Sequence, residues 1–153
     1  MFSQTTEYAM RSMACLALTP NELLPTSELA KQTKVPLNYL AKVLQQLSSA
    51  KLIQGRRGVG GGYRLSRAPR EISLMEVINA VTKVERIKTC PLGISTHGSN
   101  LCPLHRKADE AAAAVIRVFE GTTLQDLISQ PGASTPLCET RTAATMTVSA
   151  PRR

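Results

Sequence analysis

The sequence predicts a mainly α chain with one small β-hairpin, and three observations point there. Apolar residues recur at helical spacing along several stretches, most clearly Leu37, Leu40, Leu44 and Leu47. One stretch alone has strand character: Leu52-Ile53 and Tyr63-Arg64-Leu65, joined by Gly55-Arg56-Arg57-Gly58-Val59-Gly60-Gly61-Gly62. Helix start signals recur along the chain, from Thr26-Ser27-Glu28 to Ser73-x-x-Glu76 and Thr123-x-x-Asp126.

Taken in order, Gln4 to Leu18 reads as a first helix. Tyr8, Ala9, Met13, Leu16 and Ala17 give its apolar face, and Thr19-Pro20 ends it. Glu7 falls in the first turn, where an acid suits the positive helix end. Cys15 has apolar neighbours and reads as a small core residue. A second helix starts at Pro25, with Thr26 or Ser27 as cap, and stops before Pro36. The third runs from Leu37 to about Ala50. Its leucines form the buried side, Asn38, Ala41, Lys42 and Gln45 lie opposite, and Tyr39 stands at the margin. Two short helices joined by a tight turn, the second with polar groups outward, make a helix-turn-helix. The glycine-rich hairpin after it is a wing. The predicted unit is a winged helix-turn-helix over residues 1–82.

The wing glycines do not make a nucleotide-binding loop. Such a loop must open a helix whose N–H groups hold the phosphate. Here Tyr63-Arg64-Leu65 and then Ala68-Pro69 follow, which is a strand and a break. The charge favours a different partner. The chain carries a net +8; residues 1–70 hold ten Lys/Arg against three Asp/Glu, residues 71–129 six against seven. The excess sits on the helix-turn-helix and wing, where a polyanion such as double-stranded DNA would be gripped. Asn38, Tyr39 and Lys42 are the expected major-groove residues. Arg56 and Arg57, with Gly60 at the wing, are expected at the adjacent minor groove. No nucleophile–base constellation is present, and no enzyme or small-molecule substrate is expected.

Beyond the wing, Ser73 and Glu76 form a capping box. Leu74, Val77, Ile78 and Val81 give the next helix one apolar stripe, and it ends near Thr82. Residues 83–102 are expected to form a cysteine-containing sensor loop; from Lys88 to Leu101 proline, glycine, serine, threonine and asparagine dominate without period. Pro103 suits the first position of a long helix, with Cys102 at its N-cap, that runs to about Glu120 and stops at Gly121. Its small-residue middle, Ala111 to Phe119 with Ala113 and Ala114, suits close contact between two helices. That surface predicts a homodimer facing a pseudo-palindromic operator. A short helix from Leu124 closes residues 103–129. Residues 130–153, which include Cys138, lack periodicity and read as a disordered tail. No apolar run is long enough to span a membrane and no signal-peptide pattern opens the chain, so the expected location is cytoplasmic.

Cys90 and Cys102 are separated by eleven residues, and His105 completes a Cys-x-x-His pair. Thiolates and imidazole bind zinc or iron, but eleven residues is not a zinc-finger spacing. The segment is either a metal site or a plain connecting loop.

Thr6-Glu7-Tyr8-Ala9-Met10-Arg11, Leu37-Asn38-Tyr39-Leu40 and Arg57-Gly58-Val59-Gly60-Gly61-Gly62-Tyr63 together resemble the IscR/NsrR-type regulators, the Rrf-two family, over about residues 1–129. That resemblance implies a dimeric winged-helix transcription factor. It also implies three loop cysteines holding an iron–sulfur cluster, [2Fe-2S] or [4Fe-4S]. Cys90 matches the first and Cys102 the third, with His105 where some members place a fourth ligand. The middle position falls on Thr96, beside His97. Other members take a carboxylate from the first helix of the partner subunit, a position matched by Glu7. The expected function is a DNA-binding regulator, a repressor, controlled by a cluster or by a redox or nitric-oxide signal. The alternative is a DNA-binding regulator with a zinc-bound or metal-free loop, controlled by thiols or a partner protein.

Overall fold

A computed structural model of the chain describes residues 3–94 and 100–129. Thr96, His97, Cys138 and the tail lie outside the described residues. The elements run α1 (Gln4–Leu18), α2 (Thr26–Thr33), α3 (Leu37–Ser49), β1 (Ile53–Arg56), β2 (Gly62–Leu65), α4 (Leu74–Val81), α5 (Pro103–Glu120) and α6 (Leu124–Ile128). A 3-10 turn at Pro69–Glu71 precedes α4.

Three helices are started by side chains that satisfy otherwise unpaired N–H groups. Ser3 Oγ accepts from the Thr6 N–H at the head of α1. Ser73 and Glu76 form the expected reciprocal box at α4, and Thr123 and Asp126 form another at α6. At α2 the expected cap is absent. Pro25 occupies the N-cap and Thr26 is already the first helical residue, so neither Thr26 nor Ser27 stands outside the helix to cap it. The turn between α2 and α3 is made by Lys34 in the left-handed region, φ 55°, followed by extended Val35 and Pro36. At the end of α5, Gly121 is right-handed, φ −80°, so this helix stops without a left-handed cap.

The core forms where α1, α2, α3, α4 and α6 meet. Met13 and Leu16 of α1, Leu29, Leu40, Leu44 and Leu47, then Ile72, Val77 and Leu124 are all fully enclosed. Each such side chain removed from water contributes roughly 1.5–3 kcal/mol. The stripe on α3 differs from expectation at one end. Leu37 is 55 % exposed at the first residue of the helix, and Val43 takes a place inside instead. Leu124 reaches the core because the strand-like approaches to α4 and α6 pair: Leu74 N–H donates to the Thr122 carbonyl, and Leu124 N–H to that of Ile72.

The wing pairs Ile53 with Leu65 through to Arg56 with Gly62. A third extended segment, which the sequence reading missed, joins it. Leu24 N–H donates to the Tyr63 carbonyl and Tyr63 N–H to that of Leu24, both at 2.9 Å. The signal was present, since Pro25 forces Leu24 into the extended region. This close approach explains Gly62, with φ +156°: a Cβ there would lie 2.4 Å from the Leu24 carbonyl oxygen.

The long helix α5 stands apart in one respect: none of its residues is fully buried. His105, Asp109, Ala112, Ile116 and Phe119 are half-buried, on the side that meets the rest of the chain. Leu104, Ala108, Ala111, Val115 and Val118 follow at steps of four and three on the neighbouring side. Leu104 is 73 % exposed and Val118 61 %. Ala114 is exposed beside this second stripe, while Ala113 is half-buried away from it. Among the described residues, no helix is long and apolar enough to cross a membrane.

Candidate nucleic-acid interface and metal centre

Asn38, Tyr39, Lys42, Arg56, Arg57 and Gly60 are all exposed, as a surface that meets DNA requires. On α3, Asn38 Oδ1 accepts from the Tyr39 N–H at 3.0 Å, which holds the amide close over the helix end. The Lys42 ammonium lies 5.8 Å from the centre of the Tyr39 ring, a cation–π contact. Tyr39 itself meets Tyr8 of α1 edge to face, with ring centres 6.1 Å apart. Tyr8 is fixed in turn by Gln4, whose amide donates to its hydroxyl at 2.8 Å, and by the Arg11 guanidinium over its ring. Arg11 also pairs with Glu7 and donates to the Thr33 carbonyl at the end of α2. One run of aromatic and cationic contacts thus ties α1 to the exposed face of α3.

On the wing the two arginines are not equivalent. Arg56 Nη2 donates to the Gly60 carbonyl at 2.8 Å, so its guanidinium braces the tip from within. Among the described residues, no such internal contact holds Arg57. A cleft of about 520 Å³ separates the wing from the first turn of α2 and is lined by Pro25, Thr26, Ser48, Arg56, Arg57 and Tyr63.

At the other end of the molecule, Cys102 is the N-cap of α5 and His105 lies one turn on. Cys102 Sγ and His105 Nδ1 are 3.3 Å apart. For a tetrahedral ion with sulfur at about 2.3 Å and nitrogen at about 2.0 Å, two such ligands stand about 3.5 Å apart. The pair therefore fits one edge of a zinc or iron site in both atom type and spacing. Cys90 is buried, 8 % exposed, and its carbonyl accepts from the Gly93 N–H. Among the described residues no three His, Cys, Asp or Glu side chains gather closely enough to hold an ion. The structure thus joins Cys102 to His105, leaves Cys90 outside that pair, and engages Glu7 with Arg11. The donor types suit a thiophilic metal, but one chain's described residues supply two of them together.

Cys90 and α5 are nevertheless linked. Arg86 Nε and Nη2 donate to the two carboxylate oxygens of Asp109, each at 2.6 Å, and the Ile87 N–H donates to the same carboxylate at 2.9 Å. This fork fastens the segment just before Cys90 to α5 one turn beyond His105. The sequence pattern gave no sign of it, since Arg86 and Asp109 are 23 residues apart. Arg86, with help from the Ile87 N–H and against partial burial, holds the Asp109 carboxyl below its usual range.

The fold and its basic outward face define a winged helix-turn-helix DNA-binding protein. Residues 2–130 match the Rrf2 family, described as an iron-dependent transcriptional regulator, and the chain belongs to that family. It is 33 % identical over 132 residues to a putative HTH-type transcriptional regulator of Aquifex aeolicus (strain VF5), covering 84 % of this chain and 92 % of that protein. It is 32 % identical over 126 residues to the HTH-type transcriptional regulator NsrR of Bacillus licheniformis, covering 80 % and 88 %. The structure of CymR (YrzC), the global cysteine regulator of B. subtilis, superposes with a TM-score of 0.68 at 23 % identity, over 83 % of this chain and 95 % of that one, a likeness of fold. The protein is a DNA-binding transcriptional regulator and not an enzyme.

The Asp109 fork has a testable pH dependence. A depressed carboxyl stabilises the docked segment at pH values above the ordinary carboxylate pKa of about 3.9, and that contribution is lost as pH falls through the lowered value. Ile87 amide exchange, corrected for intrinsic rate, should stay protected from neutrality to about pH 4 and accelerate below. Asp109→Ala should accelerate it about tenfold already at pH 7. Equal Ile87 protection in Asp109→Ala and wild type would show that the fork does not hold the segment.

Proposed function

We propose that the chain is a homodimeric repressor of a pseudo-palindromic operator, with its affinity set by a metal site at the head of α5. The observation that carries this reading is the Cys102–His105 pair. It stands at the N-terminus of the same helix that presents an unpartnered apolar stripe. A local change there acts directly on a surface suited to joining two copies.

Asn38, Tyr39 and Lys42 read the major groove in this proposal, and Arg56 and Arg57 bring the wing to the adjacent minor groove. Because Arg56 is occupied with Gly60, Arg57 is the group expected to make the direct contact. Replacing Arg57 by Ala should cost on the order of 1–3 kcal/mol of binding to a duplex selected from random sequence by the wild-type protein. Undiminished affinity at matched salt would remove Arg57 from the interface.

The dimer follows from the stripe Leu104, Ala108, Ala111, Val115 and Val118. Its four-three spacing is that of two helices packed along their length, and a second copy offers a self-complementary partner about a two-fold axis. Val118→Asp should yield a monomer in sedimentation and lower affinity for the full selected duplex by about a hundredfold, because bivalent engagement is lost. A variant that remains dimeric, or a monomer that binds undiminished, would exclude this interface.

Cys90, Cys102 and His105 are the proposed metal ligands, with Glu7 of the partner copy completing the set. An iron–sulfur cluster held there would supply a centre sensitive to oxidants and nitric oxide. The family's description as iron-dependent and the name NsrR among relatives support iron over zinc. The chain's own part is to present two donors at one edge and to release Glu7 from Arg11. Alanine variants at Glu7, Cys90, His97, Cys102 and His105 should be assayed for iron, sulfide, zinc and visible absorbance after anaerobic reconstitution. Cys90→Ala and Cys102→Ala should lose the cluster, and both retaining it would overturn the site. Loss in His97→Ala but not Glu7→Ala would assign the last position to the loop. Colourless wild-type protein with stoichiometric zinc would establish the zinc-bound reading instead.

A further inference from the structure

The crest of the wing is occupied by a residue that does nothing for folding. Val59 is 106 % exposed, more than any other large hydrophobic residue described. It sits between Gly58 at φ +91° and Gly60 at φ +70°. The tip around it is fixed: Gly61 N–H donates to the Gly58 carbonyl at 2.9 Å, and Arg56 braces Gly60 from below. A Cβ on Gly61 would lie 2.2 Å from the Arg56 carbonyl oxygen, so the chain is pressed tightly against itself just beneath the crest. Tight turns ordinarily place glycine, asparagine, aspartate or serine at such points, and a branched aliphatic group gains nothing there from water. Exposed Arg57 lies two residues before it in the chain, and exposed Arg64 lies further down the hairpin opposite Gln54.

An isopropyl group held at the crest of a basic hairpin matches one surface in particular. The floor of the DNA minor groove at A·T pairs shows only the N3 and O2 acceptors, whereas a G·C pair adds the guanine N2 amine. Aliphatic carbon packs on the first. Against the second it strips water from a donor and returns no hydrogen bond. We propose that Val59 is an apolar minor-groove probe that makes this regulator select A·T pairs beneath the wing. It rests on the reading that the wing meets the minor groove. Arg57 supplies the direct cationic contact in the groove, and Val59 adds discrimination on its floor.

The test uses the full chain and a duplex selected by the wild-type protein, with each flanking A·T pair replaced in turn by G·C or by inosine·C, which lacks the N2 amine. For wild type, G·C at one or two wing-facing positions should weaken binding about tenfold, and inosine·C should restore it. In Val59→Ala the G·C penalty at those positions should fall to about twofold or less. Val59→Asn, whose amide oxygen can accept from the guanine amine, should also reduce it. As Val59 is enclosed by nothing, both variants should unfold with wild-type midpoints. A G·C penalty unchanged in Val59→Ala, or no such penalty at any flanking position, would overturn the assignment. Arg57→Ala separates the underlying reading from this one. If it binds as tightly as wild type, the wing contact fails; if it binds weakly while the G·C penalty survives in Val59→Ala, the contact stands and only the role of Val59 fails.

Discussion

The reciprocal backbone pair between Leu24 and Tyr63 is the contact on which the DNA-facing surface depends. Those two hydrogen bonds attach the wing to the entry of α2, and α2 is joined to α3 by a tight turn. Wing and α3 therefore cannot move independently. Gly62 is required because its neighbour's backbone lies 2.4 Å from where a side chain would begin. A two-stranded hairpin by itself is marginal in water, and the third segment removes that weakness at one edge. The exposed face of α3 and the wing, the two contacts proposed for one duplex, are thereby linked through backbone hydrogen bonds.

A second constraint acts from α1. The α3 helix buries Leu40, Val43, Leu44 and Leu47 while leaving Tyr39 about half exposed. Tyr39 is held by Tyr8, and Tyr8 by Gln4 and Arg11. The α1 residues that fix the α3 face are therefore neighbours of Glu7, since Glu7 and Arg11 share one ion pair. Anything that competes for the Glu7 carboxylate frees Arg11 from that pair, and Arg11 is also bonded to the end of α2. The path from a carboxylate on α1 to the exposed face of α3 is four side chains long. It runs entirely through contacts observed here.

Most of the helical framework was legible in the sequence, because caps and apolar period agree with one another. Ser73 with Glu76 and Thr123 with Asp126 announce α4 and α6, and the leucine spacing announces α3. Reading failed where the cause was tertiary. Leu37 is in phase with the buried stripe yet exposed, because period reports a face and not whether a neighbour covers its end. Thr26 is a good capping type in a position already inside the helix. Leu24 pairs with a residue 39 positions away, where Pro25 marks an extended residue but not its partner, and Arg86 forks onto Asp109 across 23 with no local trace. At the candidate metal centre the Cys-x-x-His spacing marked the one close pair among the described residues, because both share the first turn of a helix. The position of Cys90 depends on a segment with no period at all, and spacing alone does not determine such a path.

The Arg86–Asp109 fork anchors that segment to α5, and its place in the chain explains why. Between α4 and α5 the described residues form no regular element, so individual contacts fix where Cys90 lies. A bidentate pair with an added backbone N–H is the strongest contact a few exposed residues can make, since charge-assisted bonds are about twice as strong as neutral ones. It falls four residues before Cys90 and four after His105, so the anchor lies a short step from each along the chain. The same α5 residue face that receives the fork also meets the core through Phe119, while the adjacent stripe from Leu104 to Val118 is left for another helix. One helix thus carries three tasks on separate sides and ends: two donors at its N-terminus, the linker along one side, and an uncovered apolar seam along the other. In the proposed dimer, a shift of its first turn relative to the anchored linker would reach the seam along the helix, and the seam would set the spacing of two wings.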